Sequence, residues 1–157
     1  MIPQLGEPIK IDREGTWFYQ NVEIEHEEIR RYLGEHLVRD PDGRYFIQIH
    51  GKRCPVEVED TPFIVEQIEP LEFPPEGFQI TLHEGTTEEL NLETLTISPN
   101  QIFYCRVKNG KFPARFSKAA CYQMADYVDY DPSKDQYLFK IGKQDSPLIL
   151  PLKKNSP

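Results

Sequence analysis

The residues of this chain able to do chemistry are four histidines, three cysteines and a large set of carboxylates. His26-Glu27-Glu28-Ile29-Arg30 opens like H-E-x-x-H, in which two histidines one helical turn apart grip zinc and the glutamate serves as base. The second ligand position holds Arg30, so the pattern stops there. His26, His36, His50 and His83 fall in four different predicted elements and read as surface or turn residues. Cys54, Cys105 and Cys121 have no CxxC spacing, which argues against a disulfide framework and a structural zinc site. Gly51-Lys52 and Gly142-Lys143 lack the GxxxxGK[ST] context that cradles phosphate and read as hairpin turns with the lysine in water. There is no GxSxG, and no Ser or Cys stands beside a recognisable base. No carboxylate pair sits in an apolar setting that would split its pKa values. No catalytic residue, metal or cofactor is therefore expected.

Two groups suit binding instead. Trp17, Tyr19, Tyr45 and Phe46 are aromatic residues on predicted strands, able to divide between core and sheet surface. Glu59-Asp60-Thr61-Pro62-Phe63 sets an acidic pair and an apolar anchor around a proline. Asp60 has the alternative role of accepting backbone hydrogen bonds in a kink.

The elements that must position these groups follow from the patterning. Residues 1–10 read as a loose arm. Asp12-Arg13-Glu14-Gly15 is a turn, with Gly15 at positive φ. Thr16–Tyr19 and Val22–Ile24 read as strands around Gln20-Asn21. Ile29, Tyr32, Leu33 and Leu37 recur with helical period, which predicts a helix over 25–38. Asp40-Pro41-Asp42-Gly43 is a turn. Arg44–Ile49 and Pro55–Glu59 are strands, the second alternating apolar and acidic residues. Pro62–Ile68 extends that sheet after a kink. Residues 69–77, with Pro70, Pro74 and Pro75, form a linker. Phe78–Leu82 and Leu90–Leu95 make a hairpin around Gly85. Ile102–Val107 leads to a hairpin at Asn109-Gly110. Ser117 caps a helix over 118–130. Tyr137–Ile141 and Pro147–Leu150 close the chain, and Lys153 onward reads as frayed.

These elements come twice. Phe18-Tyr19, Asp40-Pro41, Tyr45 and Gly51-Lys52 form one series; Phe103-Tyr104, Asp131-Pro132, Tyr137 and Gly142-Lys143 form the other. The Asp-Pro and Gly-Lys pairs are 91 positions apart and the Phe-Tyr pairs 85 apart, so six extra residues belong to the second hairpin. The expected fold class is α+β, with two repeated β-β-α-β-β motifs, mainly antiparallel sheet and an extra middle hairpin. The expected divisions are 1–69, a linker and middle hairpin over 70–96, and 97–157.

At 157 residues the chain can bury roughly two-thirds of its unfolded surface without a staple. Its net charge of −8 is unevenly spread: −2 over residues 1–53, −11 over 54–105 and +5 over 106–157. That balance argues against nucleic acid as a partner. The acidic middle suits a basic partner, the basic tail of a second copy, or a solvated sheet face. The apolar runs are too short to span a bilayer, and the N-terminus lacks the basic start and apolar core of a signal peptide. No membrane contact and a cytoplasmic location are the expectation.

Three blocks of the first sixty-odd residues resemble the signature of a bacterial family catalogued as domain of unknown function 1285. They are Asp12–Tyr19, Asp42–Phe46 and Val56–Phe63. Where the family enters its first helix with Pro-Ile-x-Arg, this chain has Val22-Glu23-Ile24-Glu25. The resemblance implies an α+β fold of two repeated motifs, no assigned activity or cofactor, and a suggested part in signalling. It adds Trp17, Tyr19, Gly43, Tyr45, Glu59, Asp60, Pro62 and Phe63 as signature positions. The candidate binding residues are accordingly Trp17, Tyr19, Tyr45, Glu59, Asp60 and Phe63. The function expected is a non-catalytic regulatory or interaction module, with a protein or small molecule as partner and a homodimer as one form. The alternative is a small-molecule binder with a cleft between the two repeated units, lined by Trp17, Tyr45 and Asp60.

Overall fold

A computed structural model describes residues 7–72, 75–142 and 147–154. The chain forms two compact units, 1–62 with 84–86, and 63–83 with 87–157. The fold is α+β, with short strands in mainly antiparallel sheets and two helices among the described residues.

In the first unit β1 (Ile9–Ile11), β2 (Trp17–Tyr19), β3 (Val22–Glu23), α1 (Glu27–Glu35), β4 (Leu37–Arg39), β5 (Tyr45–Ile49) and β6 (Lys52–Val58) follow one another. The strands form a six-stranded sheet in the order β3-β2-β1-β6-β5-β4. The stretch read as a loose arm is thus corrected at its end. Ile9 and Ile11 are buried in β1, which pairs antiparallel with β2 and parallel with β6 at the middle of the sheet. Alternation in Ile9-Lys10-Ile11 carried this signal, but three residues are too few to register as a pattern.

Turn chemistry sets the register. The Asp12 carboxylate accepts from the N–H groups of Glu14 and Thr16 (3.0 and 2.8 Å), and Gly15 takes φ 85° to close that turn. Gln20 and Asn21 both take positive φ in the two-residue β2–β3 turn, as do His50 and Gly51 between β5 and β6. Glu27 and Glu28 favour the positive N-terminal end of α1. The helix ends two residues before Leu37, not at 38. Leu37 and Val38 pair instead with Ile47 and Phe46. Leu37 is buried in this strand, so its apolar character served a helical face and a strand face equally well.

The second unit holds β7 (Phe63–Leu71), β8 (Gly77–Leu82), β9 (Thr87–Glu89), β10 (Thr96–Ile97), β11 (Phe103–Val107), β12 (Phe112–Phe116), α2 (Lys118–Ala125), β13 (Val128–Asp131), β14 (Gln136–Ile141), β15 (Leu148–Pro151) and β16 (Lys153–Lys154). A seven-stranded sheet runs β16-β10-β11-β12-β7-β8-β9, and a three-stranded sheet runs β13-β14-β15. Residues 62–68 therefore do not extend the first sheet. From Phe63 the chain pairs with β8 and β12, where Phe63, Ile64 and Val65 are all buried. The stretch read as a linker is the end of β7 and the start of β8, with Pro70 opposite Phe78; Phe73 and Pro74 lie outside the described residues. The expected boundary at 69 cuts through β7, whereas the compact units part at Pro62–Phe63.

The return strand of the middle hairpin is Thr87–Glu89, and Leu92–Thr94 form a 3-10 turn where strand was expected. The hairpin at Asn109-Gly110 has a four-residue turn, 108–111, closed by Val107 opposite Phe112. The helix expected over 118–130 stops at Ala125, and Val128–Asp131 pair with β14. Lys153-Lys154 pair in parallel with β10 instead of fraying.

Ser117 caps α2 as its sequence position predicts. Its Oγ accepts from the Ala120 N–H at 3.1 Å and donates to the Glu66 carbonyl at 3.0 Å. Ser117→Ala should therefore cost about 1 kcal/mol in a urea melt, and Ser117→Asp should recover part of it. An unchanged midpoint for the alanine variant would contradict the cap.

Candidate functional site

The six expected site residues take different roles. Trp17 is only 2% exposed, on the same buried face of the first sheet as Ile11. Tyr19 and Tyr45 are half-buried, and the Arg39 guanidinium lies 5.4 Å from the Tyr45 ring centre. Glu59 is exposed and holds a turn, accepting from the Arg13 N–H at 3.0 Å with the Arg13 Nε 3.5 Å away. Asp60 is half-buried. Phe63 belongs to the second unit, buried against Phe112 (5.5 Å between ring centres) with the Lys108 ammonium over its face.

A concave surface lies elsewhere in the first unit, over the outward face of β1, β2 and β6. It is an open depression of about 540 Å³ lined by Lys10, Ile11, Asp12, Phe18, Asn21, Glu57, Val58 and Glu59. Pairing register explains the grouping. Lys10 stands opposite Phe18 on one side and Glu57 on the other, while Phe18 stands opposite Glu23. Directly opposed residues share a face and sit about 5 Å apart. The result is a row of carboxylate, ring, ammonium and carboxylate across four strands. Lys10 and Glu57 are exposed and Phe18 is half-buried. Sequence reasoning passed over Lys10, which fell in the supposed arm, and named Phe18 and Glu57 only within larger patterns. Strand alternation marks each as outward, but which outward residues become neighbours is a matter of strand order.

The ionisable groups elsewhere have structural settings. Burial, with the Glu88 charge, pushes the Cys105 thiol up to about 12. Burial also raises Cys54 and Cys121. Protonated thiols are poor nucleophiles. Asp135 accepts from the Lys154 ammonium (2.6 Å) and the Tyr130 hydroxyl (2.7 Å), which hold its carboxyl below the usual range. The histidines are dispersed. His26 precedes α1, the His36 ring packs tilted against Tyr32 with ring centres 4.4 Å apart, His50 occupies a hairpin turn, and His83 lies 3.9 Å from Glu66. Among the described residues, no group of three or more His, Cys, Asp or Glu is placed to hold a metal ion. Among the described residues, no helix is long and apolar enough to cross a membrane.

Fold and site together define a two-unit α+β protein with an open, mixed-charge face on its first sheet. Two solved structures share this fold. One is a DUF1285 family protein from Silicibacter pomeroyi DSS-3, with TM-score 0.69 and 21% identity over 97% of this chain and 84% of that one. The other is a DUF1285 family protein from Shewanella baltica OS155, with TM-score 0.65 and 16% identity over 77% of this chain and 92% of that one. The chain thus has the DUF1285 fold, which bears out the resemblance carried by its three sequence blocks. No family model and no curated protein matches it.

Proposed function

We propose that this chain is a non-catalytic interaction module that binds an extended segment of a partner protein on the outward face of its first sheet. The observation that carries this reading is the row Glu23–Phe18–Lys10–Glu57 beneath an open depression. Small-molecule sites enclose most of their ligand, whereas this surface is broad and open, with one aromatic residue at its centre. Its rim carries Asp12, Glu57 and Glu59 against the single ammonium of Lys10, with Arg13 already engaged by Glu59. That charge favours a segment with a basic side chain beside an apolar one. The alternative cleft lined by Trp17, Tyr45 and Asp60 is less favoured, because Trp17 offers almost no surface.

We also infer that the two halves descend from one repeated unit. In the first, β1 is antiparallel to β2 and parallel to β6; in the second, β10 is antiparallel to β11 and parallel to β16. A helix and an antiparallel meander follow the hairpin in both. The cytoplasmic setting that we propose suits the free thiols of Cys54, Cys105 and Cys121.

The test is a titration of the isotope-labelled protein with an acetylated peptide of alternating Lys and Val, and with its Glu-Val counterpart. The Lys-Val peptide should shift the amides of Lys10, Phe18 and Glu57, and Glu57→Lys should weaken it about tenfold or more. Equal response to both peptides, or unchanged affinity in Glu57→Lys, would sink the proposal.

A further inference from the structure

The outward face of the first sheet continues past the depression. On β6, Arg53, Pro55 and Glu57 alternate with the buried Cys54 and Val56, so the three share that face. Pro55 stands opposite Phe46, and Phe46 opposite Val38, all three half-buried. Arg53 stands opposite Gln48. The far half of the face is therefore an apolar row with a cation at its end.

Arg53 is held in place by uncharged partners. Its Nε donates to the Gln48 Oε1 at 2.7 Å, and its guanidinium carbon lies 5.2 Å from the Phe46 ring centre. Arg13 and Arg31 pair with Glu59 and Glu27, whereas Arg53 makes no ion pair among the described residues. Residues 44–56 supply Arg44, Lys52 and Arg53 and no carboxylate at all. The ring and the glutamine fix the guanidinium, so it has little rotamer freedom left to lose on binding. With Nε engaged, its terminal NH2 groups remain, the pair that grips a carboxylate end-on.

We propose that Arg53, stacked on Phe46, is a carboxylate-binding subsite, so that the partner segment carries an acidic side chain as well as a basic one. This rests on the reading of the outward face as an interaction surface and makes its specificity definite. Charge complementarity sets the order: the basic residue lies at Glu57 and the acidic one at Arg53. Spacing sets the register. Arg53 and Glu57 are four residues apart on one strand, about 13 Å. An extended segment laid along β6 advances at the same rise, so its two charges also stand four apart, with an apolar residue midway over Pro55. A uniformly basic segment engages the Glu57 end alone, since further on it would set a cation against Arg53.

The test is a titration of the isotope-labelled protein with acetylated, amidated peptides. Lys-Thr-Val-Thr-Glu and its reverse, Glu-Thr-Val-Thr-Lys, are compared with the same peptides carrying Gln for Glu. At least one Glu peptide should bind about fivefold tighter than its Gln counterpart and shift the Arg53 Nε–H signal. Lys-Glu-Thr-Val-Thr, with the same composition but adjacent charges, should show no such gain. Arg53→Gln should bring the Glu peptide down to the affinity of its Gln counterpart, and Arg53→Glu should make Lys preferred to Glu at that position. Arg53 is exposed, so both variants should keep the wild-type melting curve. No gain from Glu while the Gln peptides still bind would overturn the subsite and leave the interaction surface standing. No binding by any of the peptides would overturn both. Equal Arg53 shifts with inorganic phosphate, or with rising protein concentration and no peptide, would assign Arg53 to a free anion or to a second copy and overturn the proposal.

Discussion

Replacing Phe78 by alanine should cost about 3–5 kcal/mol, a large share of the roughly 5–15 kcal/mol that holds a domain folded. Phe78 is fully buried on β8. Its ring meets Tyr127 edge-on at 4.9 Å and Phe139 at 5.9 Å. Those two rings come from the stretch just after α2 and from β14, so one side chain joins the seven-stranded sheet to the three-stranded sheet within the second unit. Truncation removes apolar contact area, leaves a cavity and breaks two aromatic pairs, each worth about 0.5–1.5 kcal/mol beyond its area. Phe78→Leu keeps most of the volume and should cost less than half as much. Urea unfolding followed by circular dichroism reads both variants. A loss under 1 kcal/mol for the alanine variant would mean that the ring cluster does not hold the two sheets together.

Trp17→Ala should cost a similar 3–5 kcal/mol, and the comparison with its neighbour separates structure from function. Trp17 and Phe18 are consecutive on β2, so their side chains point to opposite faces. The 2% exposure of Trp17 puts it among the core residues, while Phe18 lies in the open depression. Phe18→Ala should shift stability by no more than about 1 kcal/mol and abolish the response to the Lys-Val peptide. Trp17→Ala should lower the melting point sharply whether or not peptide is present. Trp17 is the only tryptophan, so its emission should be blue-shifted and poorly quenched in the native wild type. Quenching of the native protein as efficient as in the unfolded chain would contradict its burial. A signature residue can thus be essential without touching any partner.

Much of the architecture was legible locally. The Asp12–Gly15 turn, the Ser117 cap and the strands at Tyr45–Ile49 and Tyr137–Ile141 depend on residues within a few positions of one another. Short-range hydrogen bonding and steric preference decide such features, and both are written in residue type. The α+β class and the likeness to a known family came from the same source. Helix ends were misread twice for one reason. Leu37-Val38 and Val128-Asp129 follow their helices as β strands, and what draws them away is a partner strand eight or more residues onward.

The site lay further out of reach. Lys10, Phe18 and Glu57 become neighbours because β1 is inserted between β2 and β6. That parallel pairing joins residues 47 positions apart, Lys10 with Glu57. Alternation told each side chain which face to take, but only the strand order decided which side chains stand side by side. The break at Pro62–Phe63 was hidden in the same way, since a buried apolar run suits any sheet, and its partners in β8 and β12 determined which sheet it joined. The sequence by itself determined the local elements, the charge segregation and the absence of recognisable catalytic motifs. Tertiary structure decided strand order and which aromatic residues are core, because those depend on pairings between distant segments that no local pattern encodes.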